Sequence, residues 1–154
     1  MTVLTLDQAA AIVEAALDAG RKVELHPLTV AVLDAGGHLV AFKRQDGSGI
    51  MRPEVAIGKA YGALGMGIST RLLRDRLADR PSFQAALAAA SQGRFIPVPG
   101  GVLIRDKAGA VLGAVGVSGD TSDKDEYCAI AGVQAAGLAP DPAEPAPDWV
   151  TSRL

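Results

Sequence analysis

The first 20 residues carry a hydrophobic stripe that is typical of an amphipathic helix. Its apolar positions recur at helical spacing: Leu6, Ala9, Ala10, Val13, Ala16 and Leu17. Thr5 and Gln8 stand three residues apart, as in a capping box, where each side chain bonds the backbone amide of the other. Gly20 is the expected end of the helix. The pattern predicts a helix over about 5–19.

Two later regions change to β-rich runs that are separated by glycine-containing turns. The runs LTVAVLD and HLVAFKR flank AGG and predict a β-hairpin over about 28–44. The runs VLIRD and VLGAVGVSG flank KAGA and predict a second hairpin over about 102–118.

The segments between and after the hairpins have the composition of helices. Pro53 is well placed to begin a helix of small residues over 54–67. Ser69 and Ser82 are the expected N-caps of two further helices, TRLLRDRLADR and FQAALAAAS. A last helix is predicted over about 123–136.

The element order is helix, hairpin, helices, hairpin, helix, and it predicts an α+β fold. In this fold the two hairpins form one antiparallel sheet that the helices cover. We expect a single domain over 1–138. The proline-rich segment 139–154 is expected to be an extended C-terminal tail that is not packed on the domain.

Composition and charge exclude several classes of function. The chain has 154 residues and a net charge of -2 without a basic stripe, so nucleic acid is not an expected partner. No apolar run is long enough to span a membrane, and the start, MTVLTLDQ, lacks the pattern of a secretion signal. The single cysteine, Cys128, excludes an internal disulfide and favours a reducing, cytoplasmic setting.

The stretch GAVGVSGDTSDKDE, residues 113–126, has a glycine at every third position before an acidic cluster. It matches neither the G-x-G-x-x-G fingerprint, nor a P-loop, nor a calcium loop. It is better explained as a strand followed by a helix start, with Thr121 or Ser122 as the cap and acids at the positive end of the helix. Gly113 and Gly116 then lie within a strand, which indicates that another backbone or a ligand comes close.

Three segments in order give the sequence a family resemblance: DAGGHLVAFKRQDG, GKAYGALGMG and PGGVLIRDKAGAVLGAVGVSGDTSDKDE. Together they resemble the GlcG/HbpS-like family of haem-binding proteins, which includes the C-terminal domain of PduO-type proteins. The resemblance covers about residues 5–137. It implies a profilin-like α+β fold, assembly into homo-oligomers and haem binding, with haem degradation or sensing in some members.

Lys59 is the only charged residue from position 55 to position 70, on a helix that is otherwise small and apolar. Lysine is rarely buried without a partner, so its ammonium must reach water, a carboxylate or a bound anion such as a haem propionate. A Schiff-base or general-base role is a further alternative. Gly58, Gly62 and Gly65 share one face of this helix, so something packs close to it, and a subunit contact is one possibility.

We expect a ligand site where several candidate groups converge. Lys59 supplies a cation, Gly100 and Gly101 could present free backbone amides, and the helix start at Asp123 adds a positive dipole end. Arg44, at the end of the first hairpin, is a further candidate anion contact. Four carboxylates nearby should point away or pair with Lys59: Asp120, Asp123, Asp125 and Glu126.

Haem also needs an axial ligand, which is usually His, Cys, Met or Tyr. The chain has two histidines: His38, after the first hairpin turn, and His26, before Pro27. Either is a candidate ligand. Five other residues remain open: Met51, Tyr61, Met66, Tyr127 and Cys128. Of these, Cys128 is expected to be a small buried residue.

Three functional hypotheses follow. The first is a haem- or tetrapyrrole-binding protein. The second is a cofactor-independent enzyme or binder for a small carboxylated or carbonyl metabolite, with Lys59 and Arg44 as anion contacts and His38 or Asp123 as proton carrier. Aromatic residues make up only 4% of the chain, which favours this second hypothesis because haem pockets usually have apolar and aromatic walls. The third is an assembly subunit without chemistry of its own.

Overall fold

Residues 2–154 are described by a computed structural model. This part of the chain contains five α-helices, five strands and one short 3-10 turn, Trp149–Thr151. In chain order the elements are α1 Leu6–Lys22, β1 Thr29–Asp34, β2 Leu39–Arg44, α2 Arg52–Met66, α3 Thr70–Leu77, α4 Pro81–Ala90, β3 Gly101–Arg105, β4 Val111–Ser118, α5 Ser122–Ala135 and β5 Ala139–Asp141.

The five strands form one sheet in the order β2-β1-β4-β3-β5, and all neighbours are antiparallel. The two predicted hairpins therefore lie side by side, joined through β1 and β4. Thr29 of β1 pairs with Arg44 on one side and Ser118 on the other. This arrangement confirms the predicted α+β fold, to which β5 adds an edge strand.

Helices cover both faces of the sheet. Helix α2 packs on one face, where Leu33, Leu103 and Ala114 meet Ala60 and Ala63. Helices α1 and α5 cover the other face. The larger core cluster lies there and includes Ile12, Val13, Val30, Val32, Val115, Val117, Cys128 and Ala129.

Several predicted helix ends are confirmed, and two are wrong. Thr5 and Gln8 form the full capping box, and Ser69 caps α3 by accepting from the Leu72 amide. Helix α1 does not end at Gly20 but continues to Lys22, because Gly20 is a packing position: a Cβ there would lie 2.7 Å from Leu28 Cδ1. Ser82 is not an N-cap. Helix α4 already begins at Pro81, whose fixed φ suits the first helical turn.

The 139–154 segment is extended, but it is packed, and this corrects the prediction for the tail. Its strand β5 pairs with β3 at the sheet edge. Trp149 stacks on Tyr127 of α5, with ring centroids 3.8 Å apart and an interplanar angle of 8°. Apolar and aromatic burial therefore holds the segment on the domain, whereas its proline content pointed only to an extended backbone. The predicted domain boundary at residue 138 stays a prediction.

The glycine face of α2 is covered mostly by the same chain. A Cβ on Gly58 would lie 2.6 Å from Ile96 Cγ1, and one on Gly62 would lie 3.2 Å from Phe95 Cδ1. Only Gly65 of the three has open space beside it. The close approach that the sequence indicated is thus made by residues 95–96.

Candidate functional site

Lys59 is fully enclosed, where α2 crosses the ends of β4 and α5. Its Nζ donates to the Val117 carbonyl at 2.9 Å and to Asp125 Oδ2 at 3.1 Å. The side chains of Lys59 and Asp125 are 2% and 1% exposed. The expectation that a nearby carboxylate pairs with Lys59 is met by Asp125.

Local structure explains why Asp125 faces inward. Thr121 caps α5, so Asp125 lies in the first turn and points back towards the preceding loop. Its Oδ1 accepts from the Asp120 amide at 2.9 Å. Burial lowers the pKa of Lys59 and raises the pKa of Asp125, and the attraction between the two charges opposes both shifts.

Gly100 and Gly101 lie beside Lys59 as predicted, but the Gly101 amide is not free. The Gly101 amide donates to Thr70 Oγ1 at 2.8 Å. A Cβ on Gly101 would lie 2.4 Å from the Lys59 carbonyl oxygen, and one on Gly100 would lie 2.8 Å from Lys59 Nζ. The glycines permit tight packing of β3 under α2, so this centre leaves no room for an outside anion.

Three other predicted residues form no hydrogen bond or ion pair with Lys59. His38 lies in the β1–β2 turn with its side chain 81% exposed, and its Nδ1 is 3.2 Å from Asp34 Oδ1. The backbone hydrogen bond from His38 is the main cause that lowers the pKa of Asp34. Arg44 is exposed at the end of β2 and lines a cavity of about 520 Å³ between β2 and α1. Asp123 lies half-buried in the first turn of α5.

His26 is an exposed residue of the loop before β1 and lies at a surface cleft. It lines one cavity of about 520 Å³ and an adjoining one of about 290 Å³. Leu154 also lines both cavities, and we call the combined space the His26 cleft. The loop that carries His26 is fixed because the His26 amide donates to Asp120 Oδ2 at 2.9 Å.

The walls of the His26 cleft combine apolar, cationic and acidic groups, and the acidic ones are Glu24 and Asp120. The larger cavity has an apolar wall of Val23, Leu25, Trp149, Val150 and Leu154. Lys124 and Arg153 line the same cavity, and Arg52 lines the smaller one. Arg52 donates to Ser118 Oγ at 3.1 Å. Within residues 2–154, no carboxylate lies within salt-bridge distance of Arg52 or Arg153, while Lys124 is 3.9 Å from Asp120.

The tail residues of this cleft were missed by sequence reasoning. Trp149, Val150 and Arg153 belong to a segment that was expected to be unpacked. Ser152 fastens the segment at the start of α5, because its hydroxyl lies 2.5 Å from Thr121 Oγ1. The one available signal was the only tryptophan of the chain within a proline-rich run, since a large aromatic side chain gains most from packing.

The remaining ligand candidates are less accessible or are placed elsewhere. Cys128 is fully buried, as predicted, and burial raises the pKa of its thiol to about 12. Tyr127 is occupied by the stack with Trp149. Among residues 2–154, no three His, Cys, Asp or Glu side chains are grouped in a way that could hold a metal ion. No helix in the described part of the chain is long and apolar enough to cross a membrane.

The structure is a small α+β domain with a surface cleft that His26 lines. A family model described as haem-degrading, HbpS-like proteins matches residues 4–134. The chain therefore belongs to the HbpS-like family, as the sequence resemblance indicated. The match ends before the 139–154 segment.

Known proteins are similar to this chain in sequence and in structure. A double mutant of Streptomyces reticuli HbpS is 32% identical, with a TM-score of 0.73 and 87% of each chain covered. The structure of a PduOC–haem complex has a TM-score of 0.78 at 22% identity, covering 90% of this chain and 98% of that one. An uncharacterized 15.0 kDa protein of the dhaT-dhaS intergenic region of Citrobacter freundii is 30% identical over 103 residues, which are 67% of this chain and 71% of the relative.

Proposed function

We propose that this protein binds haem, with the His26 cleft as the site and His26 as an axial ligand. The observation that carries the proposal is that His26 lines both cavities of the cleft in a chain of the HbpS-like family. An imidazole is the commonest protein ligand of haem iron. The larger cavity, about 520 Å³, lies within the range of roughly 300–1,000 Å³ that is usual for small-molecule pockets.

The other groups of the cleft suit the rest of the haem molecule. Val23, Leu25 and Trp149 offer an apolar wall to the porphyrin ring. Arg52, Lys124 and Arg153 line the cleft and supply positive charge for the two propionates. Trp149 also supplies an aromatic surface, which the low aromatic content of the chain had not led us to expect. Haem would bring the redox and oxygen chemistry of its iron, and the protein would bind and orient it.

His38 is the second candidate for the axial ligand. Its ring is exposed and has one nitrogen beside Asp34, which leaves the other free to bind iron. His38 lines neither cavity of the cleft, whereas His26, which is also exposed, lines both. We therefore rank His26 first.

Among the activities of haem-binding proteins, we propose haem degradation as the first to test. The description of the matched family is the support for this choice. When ascorbate is added under air, the Soret band of the hemin-loaded protein should bleach faster than that of a control solution of hemin and bovine albumin. A Soret band that persists would leave storage or sensing as the role.

Binding of a small carboxylate remains the second candidate function. The cavity at Arg44 favours it, because Arg21 and Lys43 line the same 520 Å³ space, where Asp46 is the one carboxylate of the lining. Lys59, Gly100 and Gly101 no longer support it as ligand contacts, since they are buried against one another. Stabilisation by small carboxylates but not by hemin, in a thermal-shift screen, would favour this function.

We also propose that the protein forms a homo-oligomer. Strand β2 lies at the edge of the sheet, and its outer side has no strand partner within residues 2–154. Leu39 and Phe42 on β2 are exposed. Light scattering at micromolar protein concentration should give a multiple of the 15.7 kDa chain mass. A monomer mass would exclude assembly under these conditions.

The direct test of the main proposal is titration of the purified protein with hemin. We expect a shifted Soret band that saturates at a fixed ratio of haem to chain. A linear, non-saturating absorbance increase through micromolar hemin would contradict haem binding.

A further inference from the structure

The 139–154 segment forms part of the His26 cleft and is held on the domain at a few separate points. Strand β5 pairs with β3, and Arg105 Nη2 lies 3.0 Å from Asp141 Oδ2. Arg71 Nη2 donates to the Glu144 carbonyl at 2.9 Å. The Trp149–Tyr127 stack and the Ser152–Thr121 hydrogen bond hold the far end.

A carboxylate with incomplete hydrogen bonding lies beneath this segment. Glu126 of α5 is 0% exposed, and neither of its oxygens accepts a hydrogen bond from another group within residues 2–154. Arg71 Nε is 3.3 Å from Glu126 Oε2, but it is not aligned as a hydrogen-bond donor. One guanidinium group therefore lies between the carboxylate of α5 and the backbone of the segment.

Charges on each neighbouring element act on Glu126. Arg71 and Arg74 of α3 favour the ionised form, while Asp123 of α5 opposes it. From the segment, the backbone amide of Ala146 lies near enough to favour the ionised form, but it is not aligned as a hydrogen-bond donor to either Glu126 oxygen. Lys59 is the further cation whose charge acts on Glu126, and it is already paired with Asp125. Burial outweighs the cations and raises the pKa of Glu126 to about 7.

We propose that the 139–154 segment is a proton-controlled cover, which closes over Glu126 when that carboxyl is protonated and opens when it ionises. The reason is solvation: an ionised carboxylate without aligned donors gains free energy when water reaches it. Opening exposes Glu126 and carries away Trp149, Val150 and Arg153, which are one wall of the His26 cleft. The consequence for ligand access rests on the proposed function of that cleft; the opening itself does not.

The size of the effect follows from linkage. A difference of one pKa unit between two states changes their equilibrium tenfold across the titration. If opening returns the pKa of Glu126 from about 7 to 4.5, the open fraction rises by roughly 300-fold between acid and alkaline pH.

Hydrogen exchange on the protein without haem tests this directly. Three amides report opening because they donate within the segment: Trp149 to Ala146, Thr151 to Asp148, and Ser152 to Trp149. The exchange rates of wild type and Glu126→Gln are compared at each pH from 5.5 to 8.5, so that the intrinsic pH dependence of exchange cancels. We expect the wild-type to variant ratio at these amides to rise by at least tenfold across the range, while amides of β4 show no such rise.

Two further variants keep the test specific. His26→Asn removes the histidine of the cleft and should retain the pH response of wild type. Asp123→Asn removes a carboxylate that opposes ionisation of Glu126, so it should retain the response with its midpoint at a lower pH. A wild-type to Glu126→Gln ratio that stays constant with pH would overturn the proposal. So would a His26→Asn to Glu126→Gln ratio that stays constant while the wild-type ratio rises. Because no haem is present, failure of hemin to bind leaves this result unchanged, and the two proposals fail separately.

Discussion

Lys59 Nζ and Asp125 Oδ2 lie 3.1 Å apart, and the two side chains are among the most deeply buried polar groups of the domain. The pair joins α2 to α5, and through the Val117 carbonyl it also joins the end of β4. Neither charge reaches solvent. A lysine in an apolar helix is thus explained by a partner that lies 66 residues further along the chain.

We predict that Lys59→Met destabilises the protein by about 3 kcal/mol or more, because it leaves the Asp125 carboxylate buried without its cation. Urea denaturation followed by circular dichroism measures the change. In the double variant with Asp125→Leu the loss should be smaller than the sum of the two single losses, since no uncompensated charge remains. Additive losses would show that the two charges are not coupled.

A second prediction concerns two glycines with opposite surroundings. A Cβ on Gly116 of β4 would lie 1.9 Å from the Ala56 carbonyl oxygen of α2, whereas a Cβ on Gly65 would have nothing within 4 Å. Gly116→Ala should therefore lower the unfolding free energy by about 2 kcal/mol or more, because the backbone of α2 or β4 must move to admit the methyl group. Gly65→Ala should instead stabilise helix α2 by about 0.5–1 kcal/mol.

Thermal melts of the two variants provide the comparison. Equal melting temperatures would contradict the close packing of α2 on β4, since both substitutions add the same methyl group.

Local patterns were sufficient to predict most of the fold. The capping box of Thr5 and Gln8, the two hairpins and the final helix depend on neighbours in the sequence, and all are present. Gly116 also indicated a close backbone, which proved to be Ala56. Gly20 misled the prediction because its contact with Leu28 is tertiary, so its role depends on where β1 begins.

The site was harder to predict because it depends on contacts between distant segments. Lys59, Gly100 and Asp125 were expected near one another and are so, but the sequence could not show that they fill the space themselves. The aromatic partner of Tyr127 comes from the 139–154 segment, and Ala146 of the same segment lies near Glu126. The proline content did not predict that packing, because it indicates the conformation of the backbone and not the contacts of the side chains.

The buried Glu126 predicts a stability that depends on pH. Its pKa is raised from 4.5 to about 7 by folding, so the protein binds a proton more tightly when folded. The stabilisation from this proton is fully present below about pH 4.5 and is lost as the pH rises through about 7. Relative to Glu126→Gln, wild type should lose up to about 3 kcal/mol of unfolding free energy over this window.

Urea denaturation of both proteins at pH 5 and pH 8.5 measures this loss. Opening of the 139–154 segment, as proposed above, reduces this loss of unfolding free energy, because the Glu126 carboxylate can then reach water without global unfolding. A difference between the two proteins that does not change with pH would contradict the assignment of the shift to Glu126.

The last prediction separates the two histidines. His26 lines the cleft together with Trp149, whereas His38 is exposed in a hairpin turn and lines neither cavity of the cleft. His26→Ala should weaken hemin binding by about tenfold or more and remove the spectral signature of histidine ligation, because loss of the ligand itself should cost at least as much as loss of its supporting contacts. His38→Ala is the matched control and should change neither the affinity for hemin nor the ligation spectrum.

Arg52→Gln should weaken hemin binding without changing the ligation spectrum, because it removes a charge for a propionate but no iron ligand. The reverse result, in which His38→Ala loses the signature and His26→Ala keeps it, would place the haem at the hairpin turn and leave the His26 cleft to another ligand.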